Sequence, residues 1–269
     1  MERDLVYDVG MHKGEDTAFY LAKGYRVVGF EADPLLAAHC AERFAGEQRL
    51  TIVTGAIAAA AGETVRFYRH PNSVWGTLDA GRAEEHEHSG ASEPIEVATI
   101  ELGAVLAETG VPAFVKVDIE GAGLLCLETL RELPERPESV SIEASHESLP
   151  ALLREFELLD ELGYDRFAVV QQATIPNTVI ETRTLGGEPL RYRFEPHSSG
   201  PFGSDLPEWL SRERAERSYR RINRVQRLVS GPEALLRRTQ FGKGVRGQAI
   251  RILGPMPGWF DTHASRAPG

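Results

Sequence analysis

The chain has 269 residues, 42% of them apolar and 26% charged, with a formal net charge of −10. That length and apolar content exclude an intrinsically disordered chain, and the acidic balance argues against a general nucleic-acid coat, which needs a net basic surface. The charge is unevenly spread: residues 212–251 carry 12 basic and 3 acidic side chains, +9, leaving 18 basic and 37 acidic, −19, on the rest.

From the N-terminus, Leu5 to Val9 reads as a short apolar strand and Glu15 to Lys23 as a helix stopped by Gly24. Arg26 to Phe30 is a second strand. Pro34 opens a helix whose Leu35, Ala38, Ala41 and Phe44 recur at helical spacing, and Leu50 to Val53 is a third strand. Glu63 to Tyr68 and Ile95 to Ile100 read as strands flanking a polar excursion, His70 to Glu93. Leu102 to Thr109 is a helix, Ala113 to Val117 a fourth main strand, Gly121 to Leu133 a helix and Ser139 to Glu143 a fifth strand. Leu149 to Leu162 and Tyr164 to Val170 add a helix and a sixth strand. Repeated strand–helix–strand order predicts a doubly wound α/β sheet, whose ligands bind beyond the carboxyl ends of the strands.

After Gln171, Ile175 to Leu185 and Leu190 to Phe194 suit a terminal hairpin turning at Gly186-Gly187. A turn-rich loop begins at His197. Pro207 introduces a helix with Trp209, Ala215, Tyr219, Ile222, Val225 and Val229 on one face and arginines on the other. Gly231-Pro232 stops it, and a segment with Leu235 and Leu236 precedes a Gly/Pro-rich end. The division expected is 1–196 as the main domain and 197–269 as a loop and Arg-rich helical extension. Two readings of that extension stand side by side: an amphipathic helix packed on the body, or a cap that holds an anionic acceptor or acidic carrier. Two cysteines, Cys40 and Cys126, read as buried reduced thiols, and no apolar run approaches the ~20 residues of a membrane helix. The expectation is a soluble cytoplasmic protein with no nucleic-acid or membrane partner; a homodimer is left open.

The chemistry-bearing residues sit at the strand ends. After the first strand come Asp8, Gly10, Met11, His12, Gly14 and Thr17. Glycines opening a helix let the backbone approach a ligand closely. A carboxylate ahead of a Gly-x-x-x-Gly spacing disfavours a pyrophosphate cradle and suits an ammonium-bearing ligand such as a sulfonium amino acid. Thr17 and Asp16 equally suit helix capping. After the second strand stand Glu31, Ala32 and Asp33. An acidic side chain there can accept two hydrogen bonds from ribose hydroxyls, in a dinucleotide or an S-adenosylmethionine site. Asp33 before Pro34 also reads as a helix cap. After the fourth strand, Asp118 and Glu120 point the same way in extended geometry, and after the fifth come Glu143 and His146.

Asp8-Val9-Gly10…Gly14…Thr17, Val28 to Pro34 and Lys116-Val117-Asp118-Ile119-Glu120-Gly121-Ala122 together resemble the FkbM family of S-adenosylmethionine-dependent methyltransferases. Thr54-Gly55-Ala56-Ile57, Thr99-Ile100-Glu101-Leu102 and Leu162-Gly163-Tyr164 extend the resemblance over roughly residues 4 to 172. It implies a class I methyltransferase (Rossmann-like) fold, doubly wound around a mostly parallel seven-stranded sheet, with S-adenosyl-L-methionine as cofactor. By correspondence Gly10 and Gly14 lie under the methionine part, Glu31 binds ribose, Ala56 and its neighbours flank adenine, and Asp118 faces the methyl-transfer region. The implied reaction is O-methylation of a small-molecule hydroxyl of sugar or natural-product type. Two departures stand out: His12 replaces the usual Asn, and Gly123 replaces a second Glu.

On this reading Asp118, Glu120, Glu143 and His146 form the acceptor side, with His146 or Asp118 taking the proton. Trp75 is either a packing anchor or an aromatic platform for the acceptor. His86 and His88 among glutamates read as a solvated charged stretch, and no ligand spacing assigns a metal site. The competing readings are an NAD-dependent oxidoreductase, which Glu31 would also serve, and a non-catalytic binding module that retains the fold.

Overall fold

The computed structural model describes residues 1–85, 87–119, 122–145, 148–230 and 259–266. Glu120, His146 and His86 lie outside the described residues, as do Leu235 and Leu236. The first half alternates β1 (Glu2–Val9), α1 (Glu15–Ala22), β2 (Arg26–Glu31), α2 (Pro34–Arg43) and β3 (Leu50–Thr54). A short β4 (Ala56–Ala58) and the antiparallel pair β5 (Thr64–Arg69) and β6 (Glu93–Glu101) follow, with α3 (Ala80–Glu85) in the excursion between them. The alternation resumes with α4 (Leu102–Thr109), β7 (Pro112–Val117), α5 (Gly123–Glu132), β8 (Ser139–Glu143), α6 (Leu149–Glu161) and β9 (Arg166–Gln171). A hairpin of β10 (Val179–Arg183) and β11 (Pro189–Arg193), then α7 (Arg212–Ser230) and β12 (Phe260–Ser265), complete the described chain.

Local chemistry sets these elements. The six residues of β7 are all buried, as a strand covered by helices on both faces requires. Pro34 occupies the first turn of α2, and the Asp33 carboxylate caps it by accepting the Leu35 N–H at 2.9 Å. Ser148 caps α6 through the Ala151 N–H, and Leu152, Phe156 and Leu159 turn its apolar face inward.

The main sheet has the order β3-β2-β1-β7-β8-β12-β9, parallel except for β12. This is the expected doubly wound, mostly parallel seven-stranded sheet. Winding reverses between β1 and β7, so the crevice for a ligand opens at the carboxyl ends of these strands. The small sheet β4-β6-β5 stands beside it, and the excursion between β5 and β6 reaches over the same edge.

The seventh strand does not come from where the sequence suggested. The stretch beyond 197 was expected to be loop and helix, and the hairpin to end the sheet. Instead β10 and β11 form a separate two-stranded sheet, while β12 inserts antiparallel between β8 and β9. Phe260 to Ser265 escapes detection because Asp261, Thr262, His263 and Ser265 are polar yet buried, so neither an apolar run nor a period of two marks the strand. The described part of the Arg-rich helix also belongs to the core. Ala215 and Tyr219 are buried, and the Tyr219 hydroxyl bonds Thr262 Oγ1 at 2.7 Å. Phe202, just before α7, stacks on Phe114 with ring centroids 4.5 Å apart. Truncation before Pro207 would therefore remove a central strand as well as any cap.

No helix among the described residues is long and apolar enough to cross a membrane. Cys40 and Cys126 are buried, and burial pushes both thiols up to about 12.

His263 makes the interior acid-sensitive. Its ring is buried, lies parallel to Phe114 at 6.3 Å, and leaves Nε2 without a partner among the described residues. Burial alone lowers its pKa to about 3. Below about pH 6.5 the unfolded chain takes up a proton that the native state refuses, so stability is lost as pH falls from about 6.5 toward 3. The full effect is about 5 kcal/mol. His263→Phe should flatten this dependence: urea midpoints at pH 7.5 and 5 will fall less in the variant than in the wild type, and equal falls would remove His263 as the cause.

Candidate active site at the carboxyl edge of the sheet

A cavity of about 260 Å³ opens where the ends of β1, β2, β7 and β8 meet the β5–β6 excursion and the loops after β9 and β11. Its floor depends on a missing side chain. Gly10 has φ +85°, and a Cβ there would lie 2.1 Å from the Asp118 carbonyl oxygen. Only glycine lets the loop after β1 rest against the loop after β7. Gly10 and Met11 both donate their N–H groups to the Phe30 carbonyl, at 3.0 and 2.9 Å, which ties this loop to β2.

Glu31 ends β2 at the cavity wall. Its carboxylate accepts the His12 N–H at 2.9 Å and the Asp33 N–H at 2.9 Å, so the loops after β1 and β2 are fastened through one side chain. Burial raises its pKa to about 7, against the lowering pull of these two N–H bonds. Ala32 and Ala56 line the wall beside it, with Ile57, Phe67 and Leu78 as an apolar slot. Asp33 also lines the cavity, but its oxygens cap α2 and take two bonds from Arg69, at 2.7 and 2.6 Å. Its capping role is realised, and Arg69 occupies what remains.

His12 sits in a left-handed backbone conformation, φ +51°, a region that Asn and His visit more readily than most residues. Its Nε2 is 2.7 Å from Ser73 Oγ and its Nδ1 is 3.2 Å from both Glu15 oxygens. The imidazole thus joins the start of α1 to the excursion. The other departure is silent toward the cavity: a Cβ on Gly123 would point at Ile142 and Val117 in the core, 2.9 Å from Ile142 Cδ1.

Three expected contacts lie beneath the wall rather than on it. Asp8 is fully buried, and its Oδ2 accepts the Thr17 hydroxyl at 2.6 Å. Gly14 is the left-handed N-cap of α1, packed against Phe44. Alternation along β1 sends Asp8 toward the next layer, where it meets Lys116 instead of a ligand. Trp75 is not on the wall either: its indole packs against His70, ring centroids 5.0 Å apart, while Ser73, Val74 and Gly76 line the cavity.

Lys116 is the organiser that sequence reading overlooked. Its Nζ lies 3.4 Å from Asp8 Oδ1, 3.0 Å from Asp16 Oδ2 and 3.2 Å from Asp118 Oδ2. Burial alone would depress this ammonium, but the three carboxylates outweigh it and hold its pKa well above the usual value. One cation cannot serve three anions equally. Asp8 is raised, by burial first and by Asp16 next, despite the pull of Lys116. A signal was present: a lysine inside the apolar run Ala113 to Val117 must find buried partners.

Asp118 and Glu143 line the far wall with Gln172 and Trp259. Behind them Asp261 accepts a bond from Gln172 Nε2 at 2.5 Å. Burial, reinforced by Asp118 and Glu143, pushes Asp261 well above the carboxylate range. His197 and Ser198, from the loop after β11, also line the cavity, so the stretch beginning at His197 does reach the site. Among the described residues no group of three or more His, Cys, Asp or Glu side chains is arranged to hold a metal ion.

Comparison with known proteins bears on this geometry. The model of the methyltransferase FkbM domain matches residues 8–166. None of the curated proteins compared matches the chain. Among solved structures, the chain is similar to a precorrin-6Y C5,15-methyltransferase from Geobacter metallireducens, at 13% identity and TM-score 0.36, over 72% of this chain and 76% of that one. It is similar to the O-methyltransferase TomG from Streptomyces achromogenes, in complex with SAM, at 15% identity and TM-score 0.35, over 68% and 69%. An O-methyltransferase from Bacillus cereus, in complex with SAH, matches at 13% identity and TM-score 0.32, over 68% and 70%.

Proposed function

Because the chain belongs to the FkbM methyltransferase family, we propose that it transfers a methyl group from S-adenosylmethionine to a hydroxyl of a small molecule, of sugar or natural-product type. The observation that carries this reading is the carboxylate pattern of the cavity. Glu31 stands at the end of β2, and Asp118 and Glu143 stand at the ends of β7 and β8, separated by the Gly10 floor. The donor set suits the cofactor: Glu31 for the ribose hydroxyls, the slot at Ala56 and Ile57 for adenine, and anionic walls for a ligand with a sulfonium and an ammonium group.

The cofactor supplies a methyl group activated by a sulfonium leaving group. The protein's part is to hold the acceptor oxygen in line and to take its proton. Asp118, held by Lys116, and Glu143 would line the acceptor side, with Asp118 facing the methyl-transfer region. His146, three residues beyond Glu143, is the proposed base, and Glu120 a further acceptor contact.

Two measurements test the reading. Titration calorimetry should show binding of S-adenosylhomocysteine and none of NAD; tight NAD binding alone would overturn it. Labelled methyl transfer to a panel of hydroxylated acceptors should then give a product, and none at all would favour the non-catalytic reading. His146→Ala should lower turnover on the order of 10²-fold, the lower end of a positioned base's contribution, with cofactor affinity unchanged. An unaltered rate would take His146 out of the mechanism.

A further inference from the structure

The cofactor assigned above carries one carboxylate, on its amino-acid part, into a cavity already lined by Glu15, Asp16, Glu31, Asp33, Asp118 and Glu143. An anion entering such a site needs donors that are not already engaged. The two strong cations on the wall are committed: Lys116 to Asp8, Asp16 and Asp118, and Arg69 to Asp33 and Glu93. His12 is held between Glu15 and Ser73.

The loop after β11 differs. Its Ser199 N–H donates to both oxygens of Asp16, at 2.9 and 3.0 Å, which bolts the loop onto the first turn of α1. Glu195 adds an ion pair with Arg43. The Ser198 N–H donates to the Glu195 carbonyl at 3.3 Å, closing a turn with Pro196 and His197 at its centre. His197 takes φ +68° there, the position where such a turn favours Gly or Asn. Strain of this kind persists where the surrounding structure holds it, and it often marks a site of use.

Two adjacent side chains are thereby set on the wall without protein partners among the described residues. Ser198 is 2% exposed, and its Oγ has no hydrogen-bond partner. The His197 side chain is exposed at the cavity rim and makes no hydrogen bond among the described residues; its ring meets that of His12 edge-on at 5.8 Å.

We propose that His197 and Ser198 hold the carboxylate of the cofactor's amino-acid part, closing the site from a segment outside the family-matched residues 8–166. The inference rests on the cofactor assignment, and its test separates the two. Calorimetry compares S-adenosylhomocysteine with its decarboxylated analogue, which keeps the adenosine, the thioether and the amine. His197→Gly removes the ring while accepting the left-handed backbone, and Ser198→Ala removes only the hydroxyl. In the wild type, S-adenosylhomocysteine should bind more tightly than the analogue. Each variant should weaken S-adenosylhomocysteine by about tenfold or more and leave the analogue unchanged, as loss of a hydrogen bond to a charged group requires. Equal losses for both ligands, or no loss for either, would overturn the inference while the cofactor assignment stands. Failure of the wild type to bind either ligand would overturn both.

Discussion

Replacing Lys116 with Met should lower folding stability by about 3–5 kcal/mol near neutral pH, the cost of stranding buried charge. The ammonium is the cation shared by Asp8, Asp16 and Asp118, and its side chain is only 5% exposed. Met replaces its bulk without its charge, so the deficit measures electrostatics more than packing. The variant carries its own control. Without Lys116, Asp8, whose pKa is already raised by burial, binds its proton more readily in the native state than in the unfolded one, so acidification favours folding. The deficit relative to wild type, read from urea midpoints, should narrow between pH 7.5 and 5.5. A loss below about 1 kcal/mol, or one that grows in acid, would show that the network does not hold the site together.

Glu31→Gln should weaken S-adenosylhomocysteine binding by about 10²–10³-fold. The carboxylate fastens His12 and Asp33 through their N–H groups, and on the proposed reading its remaining lone pairs would accept the ribose hydroxyls. A glutamine amide must turn its NH₂ toward one of those donors, so one buried N–H loses its acceptor, at about 1–3 kcal/mol, and the charge-assisted ribose bonds weaken. The pH dependence gives an independent signature. With its pKa raised to about 7, Glu31 is protonated in the unliganded enzyme at mildly acidic pH. Affinity in the wild type should rise with pH up to about 7 and then level, while the variant stays flat across that range.

Stability of the unliganded protein responds with the opposite sign. Between about pH 4.5 and 7 the native state holds a proton that the unfolded chain has released, so the Glu31 contribution is present at low pH and lost as pH rises. The full effect is about 3 kcal/mol. His263 acts against it, losing stability as pH falls. The two substitutions should therefore tilt the stability profile in opposite directions, and a common direction would refute one of the two assignments.

Much of the fold was legible because its causes are local. Pro34 and Asp33 announce the start of α2, apolar runs mark β1 and β7, and Gly10 marks a close approach of backbone that the Asp118 carbonyl then realises. Glu31 was legible only in its place at the end of β2; that its carboxylate fastens the His12 N–H, 19 residues away, together with that of Asp33 depends on the fold. Asp8 misled because a strand-end carboxylate can face the ligand or the layer below, and only the position of Lys116, 108 residues later in the chain, decides between them.

What the sequence by itself determined is the alternation of strands and helices, the glycines and acids at their junctions, and hence a sheet with an acidic carboxyl edge. Periodicity and turn chemistry act over a few residues, so they survive in the linear order. Only the tertiary structure decided which of those acids are consumed by Lys116 and Arg69, that a polar hexapeptide ending at Ser265 lies inside the sheet, and that Ser199 locks onto Asp16 across 183 residues. Those outcomes depend on burial and pairing between distant segments. A charge or a polar strand is costly or favourable only according to what the fold places beside it.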